Sequence, residues 1–243
     1  MAAILPAVFA ACSAPPPPNP SVPGQLTRQL ALQRLAAVVV TDRASLPDHA
    51  GAMASTAQNA NNTDGGSATP VAADGYFLTA DHVLAQSAGR HVFVIYGLGG
   101  NRRVREARVV WRDYEGDLAL LHVPIATPHY YGWTPENEWL PAGTRVIHAG
   151  ISTGFHTAPG KLTTDLSPEG PFTRIRPFKI DMPLRPGDSG GPILDSRGRL
   201  VGINSAVEFL VPMETAFFID SEGNRPNVGK LRSIIERDRA TRP

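Results

Sequence analysis

The chain has 243 residues, 42% of them hydrophobic, enough to bury a core in one large β domain or two smaller domains. Lysine plus arginine number 23 against 22 for aspartate plus glutamate, a net charge of +1, so no global field draws the protein to nucleic acid or to an anionic membrane. The single cysteine, Cys12, excludes an intramolecular disulfide and any multi-cysteine metal site, and the seven histidines show no metal-ligand spacing such as HExxH.

Residues 1–12, MAAILPAVFAAC, form a short apolar run that ends in small residues before a cysteine. That is half of an export signal, with the basic start missing. VFAAC resembles the lipobox of bacterial lipoproteins, although Phe9 is an unusual occupant three residues before the cysteine. The resemblance implies lipidation of Cys12, a membrane tether and an exported protein, periplasmic or membrane-anchored. A disordered N-terminus with an ordinary thiol at Cys12 is the alternative. The run is shorter than the roughly 20 residues a bilayer-spanning helix needs. Residues 13–25 are proline-rich and predict an extended spacer that cannot pack.

From Gln25 to Ala37, the residues Leu26, Leu30, Leu32, Leu35 and Ala36 fall at near-helical spacing and predict a short helix. It leads into AAVVVTDR, a β-branched run that reads as a strand. Residues 51–69 are small and polar, lack a hydrophobic period, and predict a mobile surface loop. Beyond them GYFLTA, RHVFVIYGL, EARVVWRD, DLALLHVPI, TRVIHAGIS, PFKIDM, GPILD, RLVGINSAV and TAFFID recur between Gly, Pro, Asn and Asp breaks. This is the pattern of an antiparallel barrel or sandwich. The arginine-rich NRRVREARVV reads as a solvated strand face. In VGKLRSIIERDR, Val228, Leu231, Ile234 and Ile235 share one helical face, so an amphipathic helix over about 226–239 should close the domain. Nothing marks a further module after it.

The chemistry concentrates in RPGDSGGPIL, residues 185–194. A serine hydroxyl is a poor nucleophile until a base accepts its proton, and its transition state needs donors aimed at the developing oxyanion. Glycines around Ser189 let successive amides of Gly187, Asp188 and Ser189 turn into one small concavity. A tight turn between strands would use the same glycines. The GxSxG elbow of α/β-hydrolases requires the histidine after the serine, and here the last histidine is His156, so that reading fails. The base must lie upstream, and His82 in GYFLTADHVL directly follows an apolar strand. His122 alternates with Leu121 and Val123 and reads as a strand residue. Asp117, in EGDLALLHV, precedes an apolar strand where a carboxylate can be half buried and orient an imidazole; Asp113 is its rival.

TADHV, DLALL and GDSGGP resemble the three active-site blocks of trypsin-like, chymotrypsin-fold serine proteases, in that family's order. DGYFLTADHV and the run FKIDMPLRPGDSGGPILDSRGRLVGINSAV look most like bacterial Deg/HtrA-type proteases, which work without disulfides. The resemblance implies an all-β fold of two six-stranded antiparallel barrels, about 36–132 and 133–222, inside a protease domain over 26–243. His82 and Asp117 come from the first barrel and Ser189 from the second. It implies no metal or cofactor, and it implies extended polypeptide substrates that add as a strand along Ser205, Ala206 and Val207. Pro183, six residues before the nucleophile, stands where the family floors its primary specificity pocket. Carrying no charge, it leads us to expect cleavage after small or medium apolar residues.

Three departures from the family follow. No activation site precedes the first barrel, so Asp188 needs a partner other than a new N-terminus. Asp81 adjoins His82 and would raise the histidine pKa if its carboxylate approached the ring. No PDZ domain follows, so regulation by that module and cage-like assembly are not expected. The function expected is therefore an exported serine endopeptidase working through an acyl-enzyme. A catalytically silent peptide-binding or chaperone-like module and an esterase are the alternatives.

Overall fold

The computed structural model describes residues 23–46, 63–97, 102–153, 159–170, 172–207 and 221–242. Cys12, the apolar leader and most of the proline-rich spacer lie outside them, as does the TAFFID run. A helix, α1 (Gln25–Gln33), precedes the first sheet. That sheet holds β1 (Ala36–Thr41), β2 (Thr63–Pro70), β3 (Tyr76–Thr79), β4 (His91–Tyr96), β5 (Arg103–Glu106), β6 (Arg108–Asp113) and β7 (Leu118–His122), in the order β5-β4-β1-β2-β3-β7-β6. The second sheet holds β8 (Arg145–His148), β9 (Gly160–Lys161), β10 (Arg176–Ile180), β11 (Pro192–Asp195), β12 (Leu200–Val207) and β13 (Ser221–Arg225), in the order β10-β13-β12-β11-β8-β9. All pairings between these strands are antiparallel. A last helix, α2 (Val228–Thr241), follows.

The fold is the expected one: mostly β, with two curled sheets and a C-terminal helix. The first sheet counts seven strands rather than six because the segment 103–113 breaks at Ala107. Its first half, β5, pairs with β4 and its second half, β6, pairs with β7. One continuous segment thus supplies both end strands, and the sheet curls until its edges meet there.

Burial follows from the residue pattern. Every residue of β1 is buried, because its β-branched run has apolar neighbours on both faces. Val38 and Val40 face the first barrel's interior with Phe77, Val94 and Leu121, while Val39 packs with Phe93 and Ile95 on the outside. Leu118 and Leu120 of β7 instead join Leu194, Leu200, Ile203 and the α2 residues Leu231 and Ile235, forming the core that welds the two sheets. The second interior is built from Val146, Leu162, Phe178, Ile180, Ile193 and Val201. Asn227 caps α2 by accepting from the Lys230 amide at 2.8 Å.

Two strands carry no hydrophobic signature in the sequence. Residues 63–69, read as part of a surface loop, form most of β2, a central strand pairing with both β1 and β3. Its residues must be small because the second sheet lies against them. A Cβ on Gly66 would sit 2.7 Å from Val83 Cγ2 and 2.9 Å from the Ser189 carbonyl oxygen. Strand β13, SEGNR, has the composition of a turn, yet it sits between β10 and β12. Gly223 leaves room for the Phe178 ring, and Arg225 is buried with its guanidinium donating to Thr134 Oγ1 at 2.6 Å and to the Val201 carbonyl at 3.1 Å. Burial holds that arginine's pKa down at about 10.

Candidate active site

His82 stands in a 3-10 turn, Asp81–Leu84, directly after β3. Asp117 ends the turn between β6 and β7, a turn held by the Gly116 amide donating to Asp113 Oδ1 at 2.9 Å. That carboxylate contact puts Asp113 to structural use. Asp117 adopts φ of 45°, the one non-glycine positive φ among the described residues. Such a conformation is strained for an aspartate and marks a position fixed by its contacts. Those contacts come from His82: the ring Nδ1 lies 2.8 Å from Oδ2 and 3.0 Å from Oδ1, and the backbone N–H donates to Oδ1 at 2.8 Å. The hydroxyl of Ser205, on β12 of the second sheet, donates to Asp117 Oδ2. One carboxylate thus gathers groups from both sheets.

The electrostatics follow from that geometry. The hydrogen bond to Asp117 raises the His82 pKa above its ordinary value, burial opposes this, and the charges of Asp117 and Asp81 add to the rise. Burial pushes Asp117 up, but the hydrogen bonds from His82 and Ser205 prevail and hold it low. Asp117 therefore stays ionised and fixes the ring with Nδ1 carrying a hydrogen. Nε2 is left unengaged by any described residue.

Ser189 is half-buried, in the turn that leads into β11. β2 stitches this turn to the first sheet. Ser67 N–H donates to the Ser189 carbonyl at 2.8 Å, the Ser67 hydroxyl to the Gly187 carbonyl at 2.7 Å, and the Thr69 hydroxyl to the Gly190 carbonyl at 2.9 Å. Gly190, at φ of 89°, is pressed so close that a Cβ would lie 2.1 Å from the Ser67 carbonyl oxygen and 2.4 Å from Thr79 Oγ1. Val83, next to His82, and the Ser189 carbonyl both touch the space above Gly66. Serine and histidine segments are thus neighbours across β2. Among the described residues, no hydrogen bond joins the Ser189 hydroxyl to the His82 ring.

Of the three amides expected to face an oxyanion, that of Asp188 is already used: it donates to the Arg185 carbonyl at 2.9 Å, closing the turn. The amides of Gly187 and Ser189 have no acceptor among the described residues. A trans peptide opposes its C=O and N–H. The Pro186 carbonyl points at the Ser152 hydroxyl (2.5 Å) and the Asp188 carbonyl accepts from Gly191 N–H (2.9 Å), so both free N–H groups point away from those anchors.

The partner of Asp188 is the segment after β8. Its fully buried carboxylate accepts from the amides of Ser152 (3.1 Å), Thr153 (2.9 Å) and Arg185 (2.9 Å), and from the Thr153 hydroxyl. Gly150 has no room for a Cβ, which would meet Asp188 Oδ1 at 2.3 Å. The Asp81 carboxylate is gripped by Arg112, and from there its charge adds to the rise of the His82 pKa, in the direction expected.

On the substrate side, β12 pairs with β11 as far as Ile203, and the Asn204 N–H donates to the Gly191 carbonyl at 2.8 Å. Beyond Asn204 no strand pairs on that side among the described residues. Ala206 and Val207 continue β12, with Val207 paired to Ser221 on the other side. Ser205 is buried with its hydroxyl on Asp117, and Pro183 is exposed. Among the described residues, no group of three or more His, Cys, Asp or Glu side chains converges as a metal site, and no helix is long and apolar enough to cross a membrane.

Two curled antiparallel sheets joined across β2, with a histidine–aspartate pair at the junction, define a chymotrypsin-like fold. The chain belongs to the trypsin-like peptidase family, whose domain model matches residues 66–203. It is 28% identical over 191 residues to a probable periplasmic serine endoprotease, DegP-like, of Pseudomonas fluorescens, covering 70% of this chain and 38% of that protein. A counterpart from Ectopseudomonas mendocina is 30% identical over 172 residues, covering 65% and 34%. The chain thus spans well under half the length of these relatives. Among solved structures, the HtrA-type protease AlgW with a tripeptide matches with a TM-score of 0.60 at 22% identity, covering 89% of this chain and 65% of that one. Deg5 matches with a TM-score of 0.57 at 19% identity, covering 85% and 90%.

Proposed function

We propose that the protein is a serine endopeptidase in which His82, Asp117 and Ser189 form the catalytic triad. The observation that carries this reading is the Asp117 carboxylate, which takes the His82 ring, the His82 amide and the Ser205 hydroxyl at once. With Nδ1 so occupied, His82 Nε2 accepts the Ser189 proton as Oγ attacks the scissile carbonyl. The free amides of Gly187 and Ser189 receive the oxyanion. The imidazolium, stabilised by Asp117, then returns its proton to the leaving amine, and water repeats the sequence on the acyl-enzyme.

Extended polypeptides are the proposed substrates. The edge of β12 from Ser205 to Val207 that faces away from β13, unpaired among the described residues, supports strand addition, and the AlgW structure holds a tripeptide. Uncharged Pro183 supports cleavage after small or medium apolar residues. The DegP-like relatives are described as periplasmic, which supports export; lipidation of Cys12 would add a tether. The test is hydrolysis of casein against a simple ester, with Ser189→Ala as control. Casein turnover lost in the control supports a protease; ester turnover alone indicates an esterase, and neither indicates a binding module.

A further inference from the structure

We propose that Arg112 is a positioning residue for the His82–Asp117 pair, acting through its grip on Asp81. The proposal rests on reading His82 as the general base.

The placement is specific. Asp81 opens the turn that carries His82, and its side chain is only 6% exposed. Arg112 Nε donates to Oδ1 at 2.5 Å, Nη2 to Oδ2 at 3.0 Å, and Nη2 also reaches the Asp81 carbonyl at 3.3 Å. This fork holds both the side chain and the backbone of the residue before His82. At its other end Arg112 belongs to β6, immediately before Asp113, which caps the turn that presents Asp117. One arginine therefore spans the two loops whose side chains must meet. Its guanidinium is held from outside by the Tyr114 ring at 4.6 Å.

Charge gives the second half of the argument. Two carboxylates act on one imidazole, Asp117 in direct contact with the ring and Asp81 through its charge alone. Both favour the imidazolium, the form that cannot accept a proton from serine. Arg112, paired with Asp81, offsets part of its share and leaves Asp117 the dominant influence. Among the described residues of the elements packed on this turn, the other charged groups are paired elsewhere. The turn packs on β1, β2 and β7. β1 brings no charged residue; β2 brings Asp64, paired with Arg90 at 2.8 Å; β7 brings His122 at its far end, held by Arg242. The second sheet adds the neutral Ser205 and Ser189.

The test follows the His82 ring directly, by histidine 1H–15N NMR titration of the full chain, so it is read whether or not the protein hydrolyses anything. Arg112→Gln leaves Asp81 unbalanced and is expected to raise the His82 midpoint by about half a unit or more. Asp81→Asn leaves Arg112 unbalanced and lowers it. The double variant, which removes both charges, returns it to near the wild-type value. Arg112→Lys keeps the charge but loses the fork. It should keep the midpoint while slowing labelling of Ser189 by a fluorophosphonate about tenfold. A purely structural role moves both single variants the same way or leaves all midpoints together, and either result overturns the proposal. If Arg112→Gln fails to fold, Asp81→Asn, whose remaining arginine can reach water, decides alone: an unmoved or raised midpoint overturns it. Failure of the protease reading shows separately, as wild-type Ser189 that takes no label.

Discussion

Asp188 offers the sharpest perturbation of the oxyanion turn. Its carboxylate accepts four hydrogen bonds while fully buried. Asp188→Asn keeps an oxygen at Oδ1 for the Ser152 and Thr153 amides but puts an NH2 group where Oδ2 received the Arg185 amide. One buried N–H then faces another, costing about 1–3 kcal/mol. The two bonds at Oδ1 lose their charged acceptor, roughly another 0.5 kcal/mol each, while the Thr153 hydroxyl can turn to accept from the new NH2 group. The turn is therefore weakened by about 2–4 kcal/mol, equivalent to a population loss of about 30-fold to several hundredfold at 1.4 kcal/mol per tenfold. Because a weakened turn can open locally without unfolding the sheets, activity should suffer more than global stability. The assay is the rate of fluorophosphonate labelling at Ser189 beside a thermal melt. Labelling that stays within about threefold of wild type would refute the claim that this carboxylate holds the turn.

Other perturbations test separate parts of the account. Gly66→Ala should push β2 off the Ser189 turn and lower stability by about 1–3 kcal/mol in a denaturant titration, because the added methyl meets both Val83 and the Ser189 carbonyl. Ser205→Ala removes one of the Asp117 hydrogen bonds and should cut kcat/KM about fivefold, the equivalent of roughly 1 kcal/mol, on a peptide substrate. The acid limb of the kcat/KM profile should lie above pH 6.5, since the hydrogen bond to Asp117 raises His82. His122 has the opposite sign. Burial and the arginines Arg242 and Arg108 lower its pKa, so its stability contribution is present above the unfolded value near 6.5 and lost as pH falls through the folded one. Tm measured from pH 7 downward should accordingly fall less steeply in His122→Leu than in wild type.

The fold was largely legible because most strands of both sheets alternate or run apolar between Gly, Pro, Asn and Asp breaks. The strands that escaped notice share one cause. β2 and β13 are selected for what lies across from them rather than for a hydrophobic face: Gly66 and Gly190 interlock between the sheets, Gly223 clears a phenyl ring, and Arg225 pairs inside the core. Composition alone reads such segments as loop or turn. In the site, three short motifs sufficed to single out His82, Asp117 and Ser189, and the structure pairs the first two directly. The anchors of Asp188 could not be read, because three of the four are backbone amides, which any residue type supplies, and the fourth is a threonine hydroxyl 35 positions away. The Asp81–Arg112 pair lies 31 positions apart, and no local pattern joins them. A dense patch binding α2 was equally hidden: Tyr76 donates to Asp238 at 2.8 Å, with Arg108, Arg239 and Arg242 bridging Asp74 and Asp238 around it.

The central claim is that Ser189 is an activated nucleophile served by His82. Incubation with a fluorophosphonate followed by peptide mapping in a mass spectrometer tests it most directly, on wild type and on His82→Ala. A single adduct on the peptide carrying Ser189, lost in the histidine variant, is expected. An unmodified Ser189 in folded wild type, or an adduct that persists undiminished without His82, would contradict it.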